Sequence, residues 1–91
     1  MKKPLSNLWF VYILRCGDGS LYTGITKDVQ RRSQQHNSGT ASRYTRSRRP
    51  VRVIWKESQP TQSTALKREA AIKAMARVQK LAMIRLRKKA A

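Results

Sequence analysis

Two short apolar runs on either side of a glycine-rich segment constrain the fold of this chain more than any other feature. The runs are residues 10–14 (FVYIL) and 21–25 (LYTGI), and both are rich in the β-branched and aromatic residues typical of strands. Between them lies the segment 16–20 (CGDGS), which has the composition of a tight turn. The sequence therefore predicts a β-hairpin.

The length of the turn decides where the two tyrosines of this hairpin point. A two-residue turn would place Tyr12 and Tyr22 on opposite faces, because side chains alternate along a strand. A three-residue loop at 17–19 places both on one face. Such a loop is commonly a type I turn followed by a left-handed residue, which suits Gly19. We predict the three-residue register, with Tyr22 opposite Leu14.

The segment after the hairpin predicts a helix from about Lys27 to Asn37. Thr26 or Asp28 can cap its start, and Gly39 fits just past its end. Arg32 and His36 lie four residues apart and share one face of this helix.

The remainder predicts one more strand and a helical C-terminal part. Pro60 interrupts the chain between them, and the helical pattern breaks near Arg77 into two helices. The predicted segments are a loop at 37–42, a basic loop at 43–50, a strand at 51–55, a polar connection at 58–63 and helices from about 64 onwards.

Length and charge limit the classes of protein that fit. Ninety-one residues make one domain with a small core, so a shallow surface site is expected. Lys and Arg number 21 against four Asp and Glu, for a net charge of +17. Self-repulsion of that size is relieved by a polyanion. Nucleic acid is therefore the leading partner, and an anionic membrane surface is second.

The single cysteine and single histidine exclude other classes of site. Cys16 has no intramolecular disulfide partner, and one Cys with one His does not make a four-ligand zinc site. No apolar run approaches the roughly 20 residues that span a bilayer. The basic start at 1–4 is not followed by a long apolar stretch or a cleavage site. We therefore expect a reducing, cytoplasmic setting and no membrane.

Together these residues resemble the GIY-YIG nuclease superfamily, and within it the small stand-alone bacterial proteins. The resemblance covers roughly residues 8 to 86. It is carried by five positions in the right order and by the short motifs around them. The five positions are Tyr12, Tyr22, Arg32, His36 and Glu69. The motifs are Val11-Tyr12-Ile13, Tyr22-Thr23-Gly24-Ile25-Thr26, Arg31-Arg32, His36-Asn37, Arg48-Arg49-Pro50-Val51 and Arg68-Glu69. We accordingly delimit a tail at 1–7, one domain at 8–86 and a basic tail at 87–91.

The resemblance implies an α+β domain with a three-stranded antiparallel sheet flanked by helices. It also implies metal-dependent cleavage of a phosphodiester, usually in DNA, as in repair or recombination. By matched position, Tyr12 and Tyr22 would lie beside the scissile phosphate and Arg32 would hold a phosphate oxygen. His36 would lie near the attacking water, and Glu69 would bind one divalent ion, Mg²⁺ or Mn²⁺.

The chemistry of these groups fits such roles. The planar guanidinium of Arg32 can form two parallel hydrogen bonds to a phosphate. A single carboxylate suffices for Mg²⁺, which keeps several waters and borrows substrate oxygens. A free phenol has a pKa of about 10, so Tyr22 needs a lowered pKa to act as base, whereas His36 starts from about 6.5. We assign Tyr22 as the base, His36 as an alternative base or relay, and Tyr12 as a positioning group.

The basic loop suits contact with a nucleic-acid backbone and stacking of a base on Tyr44. The candidate binding residues are Arg31, Arg43, Tyr44, Arg46, Arg48 and Arg49. Nothing marks a sequence-reading helix. DNA is favoured over RNA as the partner, and targeting would come from the basic surface or from a partner protein.

A second hypothesis stays open: a non-catalytic DNA- or RNA-binding module with a vestigial site. It predicts binding that is salt-sensitive, indifferent to metal and unchanged by Glu69→Ala. A membrane-surface protein is a poorer third, because the terminal basic helix lacks a Trp or Phe face.

Overall fold

The computed structural model of this protein describes residues 8–90, with side chains described as far as Arg87. Its elements follow one another as two strands, two helices, a third strand and two more helices, an α+β arrangement. They are β1 (Trp9–Arg15), β2 (Leu21–Thr26), α1 (Val29–Ser38), α2 (Arg43–Arg46), β3 (Arg52–Gln59), α3 (Gln62–Lys73) and α4 (Arg77–Ala90). The predicted tail at 1–7 and the final residue of the predicted basic tail lie outside the described residues.

The three strands form one antiparallel sheet with β1 in the centre, in the order β2-β1-β3. The hairpin has the predicted three-residue register, because Leu14 lies opposite Tyr22. Gly19 is left-handed, with φ 86°, and its N–H donates to the Cys16 carbonyl at 2.9 Å. The fold class and the turn are thus as the sequence predicted.

Strand β3 is longer than predicted. It continues to Gln59, which lies opposite Trp9, and a bulge interrupts its pairing with β1 between Ile13 and Leu14. Helix α3 then begins at Gln62 behind a capping box at Thr61. The connection between β3 and α3 is therefore residues 60–61, shorter than the predicted 58–63, because backbone pairing with β1 extends the strand over the polar residues 58 and 59.

Helix α1 is bounded as the caps predicted. The Asp28 side chain accepts a hydrogen bond from the Arg31 backbone N–H, and Gly39 ends the helix with φ 85°. Thr26 is not the cap: its hydroxyl instead accepts a hydrogen bond from the Asp28 backbone N–H at 3.1 Å.

The predicted basic loop contains a one-turn helix, α2, which the sequence analysis missed. The Ser42 side chain accepts hydrogen bonds from the backbone N–H groups of Tyr44 and Thr45 and so caps it. Asn37 ties the end of α1 to the start of β3, because its side-chain amide both donates to and accepts from the Val51 backbone, at 2.9 and 2.8 Å.

The central strand is buried on both faces, and each face has its own core. One core joins Val11 and Ile13 to α3, α4 and β3; the other joins Tyr12 and Leu14 to Cys16 and Val51. The buried members of the first are Val11, Ile13, Trp55, Ala65, Ile72 and Ile84, and those of the second are Tyr12, Leu14, Cys16 and Val51. The second face carries the two tyrosines.

Candidate functional site

The centre of the site is a chain of hydrogen bonds through three elements of the fold. Tyr12 on β1 bonds through its hydroxyl to His36 Nε2 at 2.9 Å, and His36 on α1 bonds through Nδ1 to the Thr45 hydroxyl at 2.7 Å. All three residues are buried. Because buried polar groups are costly unless paired, this network fixes the orientation of the imidazole.

The network also indicates which nitrogen of His36 carries the proton. The Thr45 hydroxyl donates to the Ser42 carbonyl at 3.4 Å, so it is free to accept from His36 Nδ1–H. His36 Nε2 then carries the lone pair and accepts the Tyr12 O–H. In this assignment the histidine is neutral and its acceptor nitrogen faces the phenol.

Two further aromatic rings surround this pair. The ring centroid of Tyr22 lies 5.0 Å from that of His36 and 6.5 Å from that of Tyr12. Tyr44 on α2 extends the cluster, with its centroid 5.8 Å from that of Tyr22, and the Arg48 guanidinium lies 3.9 Å from the Tyr44 centroid. The two phenols of the hairpin therefore converge as the predicted register requires.

The environment keeps both central groups uncharged. Burial, together with the nearby Tyr22 and the negative charge of Glu69, raises the pKa of the Tyr12 phenol above its ordinary value, and Arg32 opposes this only in part. Burial and then the Arg32 charge lower the pKa of His36 below its ordinary value. A neutral histidine beside a neutral phenol can accept a proton at pH 7.

Arg32 and Glu69 complete the five predicted positions. Arg32 is half-buried on the same helix as His36, one turn earlier, and its charge acts on both Tyr12 and His36. Glu69 lies on α3 with its side chain 18% exposed, and its charge also acts on Tyr12. Its carboxylate pairs with the exposed ammonium of Lys73, at 3.3 Å.

The other three carboxylates have structural tasks. Asp28 caps α1, Asp18 accepts from Ser20 and pairs with Arg48, and Glu57 pairs with Arg68. Within the described residues no three His, Cys, Asp or Glu side chains cluster as a metal site. Glu69 is therefore the carboxylate at this site that a divalent ion could use, with waters and phosphate oxygens supplying its other ligands.

Two of the four arginines in the basic segment 43–49, Arg48 and Arg49, bond to other groups of the protein. Arg48 donates to the Tyr44 carbonyl at 2.8 Å and pairs with Asp18 at 3.2 Å. Arg49 donates to the backbone carbonyls of Arg46 and Asn37. Arg43 and Arg46 are exposed, and so is Arg31 on α1.

Thr45 is the residue of this network that the sequence analysis missed. Its hydroxyl meets His36 only because α2 folds back over α1, and a four-residue helix is too short to show a hydrophobic period. The available signal was Ser42, a good N-cap residue just ahead of the segment.

Comparison with known proteins decides the family. The model of the GIY-YIG catalytic domain matches residues 8–81. The chain belongs to the GIY-YIG family. That family is one of nucleases, which generally depend on a divalent metal and act on nucleic acid.

Small stand-alone bacterial GIY-YIG proteins are among its relatives. A UPF0213 protein of Staphylococcus epidermidis is 55% identical over 75 residues, which cover 82% of this chain and 92% of the relative. A UPF0213 protein of Staphylococcus aureus is 51% identical over 78 residues, covering 86% and 95%. The resemblance inferred from the motifs is thereby confirmed.

Two solution NMR structures have the same fold. The UPF0213 protein BH0048 of Bacillus halodurans is 40% identical, with a TM-score of 0.57 over 87% of this chain and 84% of that one. The protein EF2693 of E. faecalis is 36% identical, with a TM-score of 0.61 over 96% and 92%. No described helix of the GIY-YIG domain is long and apolar enough to cross a bilayer.

Proposed function

We propose that this GIY-YIG domain is a divalent-metal-dependent endonuclease that hydrolyses phosphodiester bonds in DNA, in repair or recombination. The observation that carries the proposal is the chain from Tyr12 through His36 to Thr45, beside the guanidinium of Arg32. Hydrolysis of a phosphodiester needs a proton acceptor for the attacking water and a cation for the phosphate oxygens. This cluster offers both within one small face of the sheet.

Proton transfer is the task we assign to Tyr12 and His36. Since burial raises the pKa of Tyr12, a free phenolate is disfavoured and the phenol needs a partner that takes its proton. His36 Nε2 is that partner, at 2.9 Å. The water proton moves to the Tyr12 oxygen as the Tyr12 proton moves to Nε2, and Thr45 holds the imidazole in place.

Tyr22 then takes a different role from the one first assigned to it. The phenol that bonds to His36 is that of Tyr12, so we move the relay to Tyr12. Tyr22 packs against the His36 ring and remains half-buried at the mouth of the site, where its hydroxyl can orient the water or a phosphate oxygen.

Arg32 and the ion at Glu69 would offset the negative charge of the phosphate oxygens. The Arg32 guanidinium would hold one phosphate oxygen, and Glu69 would hold Mg²⁺ or Mn²⁺. When bound, the ion would neutralise charge on the phosphate oxygens. We propose Arg31, Arg43 and Arg46 as backbone contacts, with Arg48 and Arg49 ordering the segment that carries Tyr44.

A cleavage assay tests this proposal. Wild type, Arg32→Ala and Glu69→Ala, purified identically, would be incubated with labelled single-stranded, duplex and branched DNA and with RNA, in Mg²⁺, Mn²⁺ or EDTA. We expect metal-dependent cuts in DNA by wild type and at least 100-fold slower cutting by both variants. Equal binding by all three proteins with no cleavage of any substrate would support the binding module instead.

A further inference from the structure

A second concave surface adjoins the site at Arg32. It is a cleft of about 410 Å³ between the start of β1 and the first two turns of α1. We call it the Trp9 cleft. Its walls include Trp9, Lys27, Arg31 and Gln35, and Arg32 belongs to it as well as to the catalytic site. Its size lies within the range of about 300–1,000 Å³ typical of small-ligand sites.

The Trp9 cleft carries an excess of positive charge. Three cations line it against one carboxylate, and that carboxylate, Asp28, is engaged in capping α1. Within the described side chains, neither Lys27 nor Arg31 has an ion-pair partner. The Lys27 ammonium instead lies 5.5 Å from the centroid of the Trp9 ring. Two exposed cations on the rim of a cleft form a site for an anion.

We propose that the Trp9 cleft binds the nucleotide of the substrate strand next to the scissile phosphate. Lys27 and Arg31 hold its phosphate, Trp9 packs against its sugar or base, and Gln35 can hydrogen-bond a polar edge. The shared Arg32 makes the cleft continuous with the catalytic site, so one strand can occupy both. This inference rests on the proposed nuclease function, since it places the cleft relative to the phosphate that is cut.

Binding without metal separates this inference from the nuclease activity. The probe is a fluorescein-labelled single-stranded DNA 12-mer in EDTA, followed by anisotropy from low to moderate salt. The test variant is Lys27→Ala/Arg31→Ala. The matched control, Lys67→Ala/Arg85→Ala, removes the same charge from exposed positions on α3 and α4.

We expect the cleft variant to bind at least tenfold more weakly and the control less than threefold more weakly. We also expect the slope of log affinity against log salt to fall by about 0.7 in the cleft variant, the value for one lost phosphate contact on a single strand, since both cations hold the same phosphate. Equal losses in both double variants, or no loss in either, would overturn the proposal.

Tryptophan fluorescence provides a second, local measurement. Saturation with an unlabelled 12-mer should change the emission of wild type, and Trp9→Phe, which keeps an aromatic ring in place, should lose that change. Persistence of the full change in Trp9→Phe contradicts the proposal, because the signal would then come from Trp55. Cleavage assays of the same proteins report on the nuclease function separately.

Discussion

Gly24 provides the space that the phenol of Tyr12 occupies. The two residues are directly opposed in the sheet, and a Cβ on Gly24 would lie 2.6 Å from the Tyr12 hydroxyl oxygen and 2.8 Å from the carbon that bears it. Since that hydroxyl is buried and bonded to His36, it cannot move aside freely. A glycine at position 24 is therefore required because the ring of Tyr12 packs against it.

Gly24→Ala should displace the phenol from His36. We expect a loss of about 1–3 kcal/mol in the free energy of unfolding, as for overpacked cores. We also expect a fall of about 100-fold in the cleavage rate, because small misplacements of reacting groups are costly. Thermal denaturation and single-turnover cleavage would measure these, and an unchanged rate in a folded Gly24→Ala protein would contradict this geometry.

His36 should make both activity and stability depend on pH. Its pKa in the folded protein is lowered, by burial first and then by Arg32, below the value of about 6.5 in an unfolded chain. Between those two values the unfolded state binds more protons, so the free energy of unfolding falls as the pH drops below about 6.5. The cleavage rate should fall when His36 itself becomes protonated, at a still lower pH.

The comparison for this effect is His36→Gln, measured by thermal denaturation between pH 8 and pH 5. We expect the variant to show a shallower loss of stability over this window, whatever its absolute stability. Identical slopes in the two proteins would mean that His36 does not titrate as its burial requires.

Lys73 should compete with the divalent ion at Glu69. Its ammonium lies 3.3 Å from the carboxylate but is exposed, so screening by water keeps the interaction small. Lys73→Ala should lower the Mn²⁺ concentration at half-maximal cleavage by about two- to fivefold. Lys67→Ala, an exposed position on the same helix, serves as the control, and equal shifts in both would exclude a local effect.

The arginines of the basic segment should separate into stabilising and binding residues. Arg48→Ala removes the contacts to Asp18 and Tyr44 and should cost about 1 kcal/mol of stability. Arg46→Ala should leave the melting temperature unchanged, weaken DNA binding and reduce the salt slope by about 1. Reversed effects would show that the internal bonds of Arg48 do not order the segment.

The hairpin could be predicted from sequence because its turn leaves few registers. The three-residue loop with Gly19 placed Leu14 opposite Tyr22, and this alone brought the two phenols to one face. The caps of α1 were equally local. The turn and the caps depend only on residues close together in sequence, and both are present in the structure as predicted.

Other features depend on contacts that are remote in sequence. Leu66 on α3 is 47% exposed whereas its neighbour Ala65 is buried, because packing on the sheet sets the phase of α3. Thr45 reaches His36 through tertiary folding alone, and no spacing in the sequence predicts this contact.

The most direct test of the proposed mechanism removes one oxygen atom. Tyr12→Phe keeps the ring that packs on Gly24 and deletes the hydroxyl that bonds to His36 Nε2. General acid–base groups contribute about 10²- to 10⁴-fold to rate. Single-turnover cleavage in Mg²⁺, with binding of the same DNA measured in EDTA, should show a loss of at least 100-fold in rate with affinity retained. Cleavage at the wild-type rate by Tyr12→Phe would contradict the assignment of the proton relay to Tyr12 and His36.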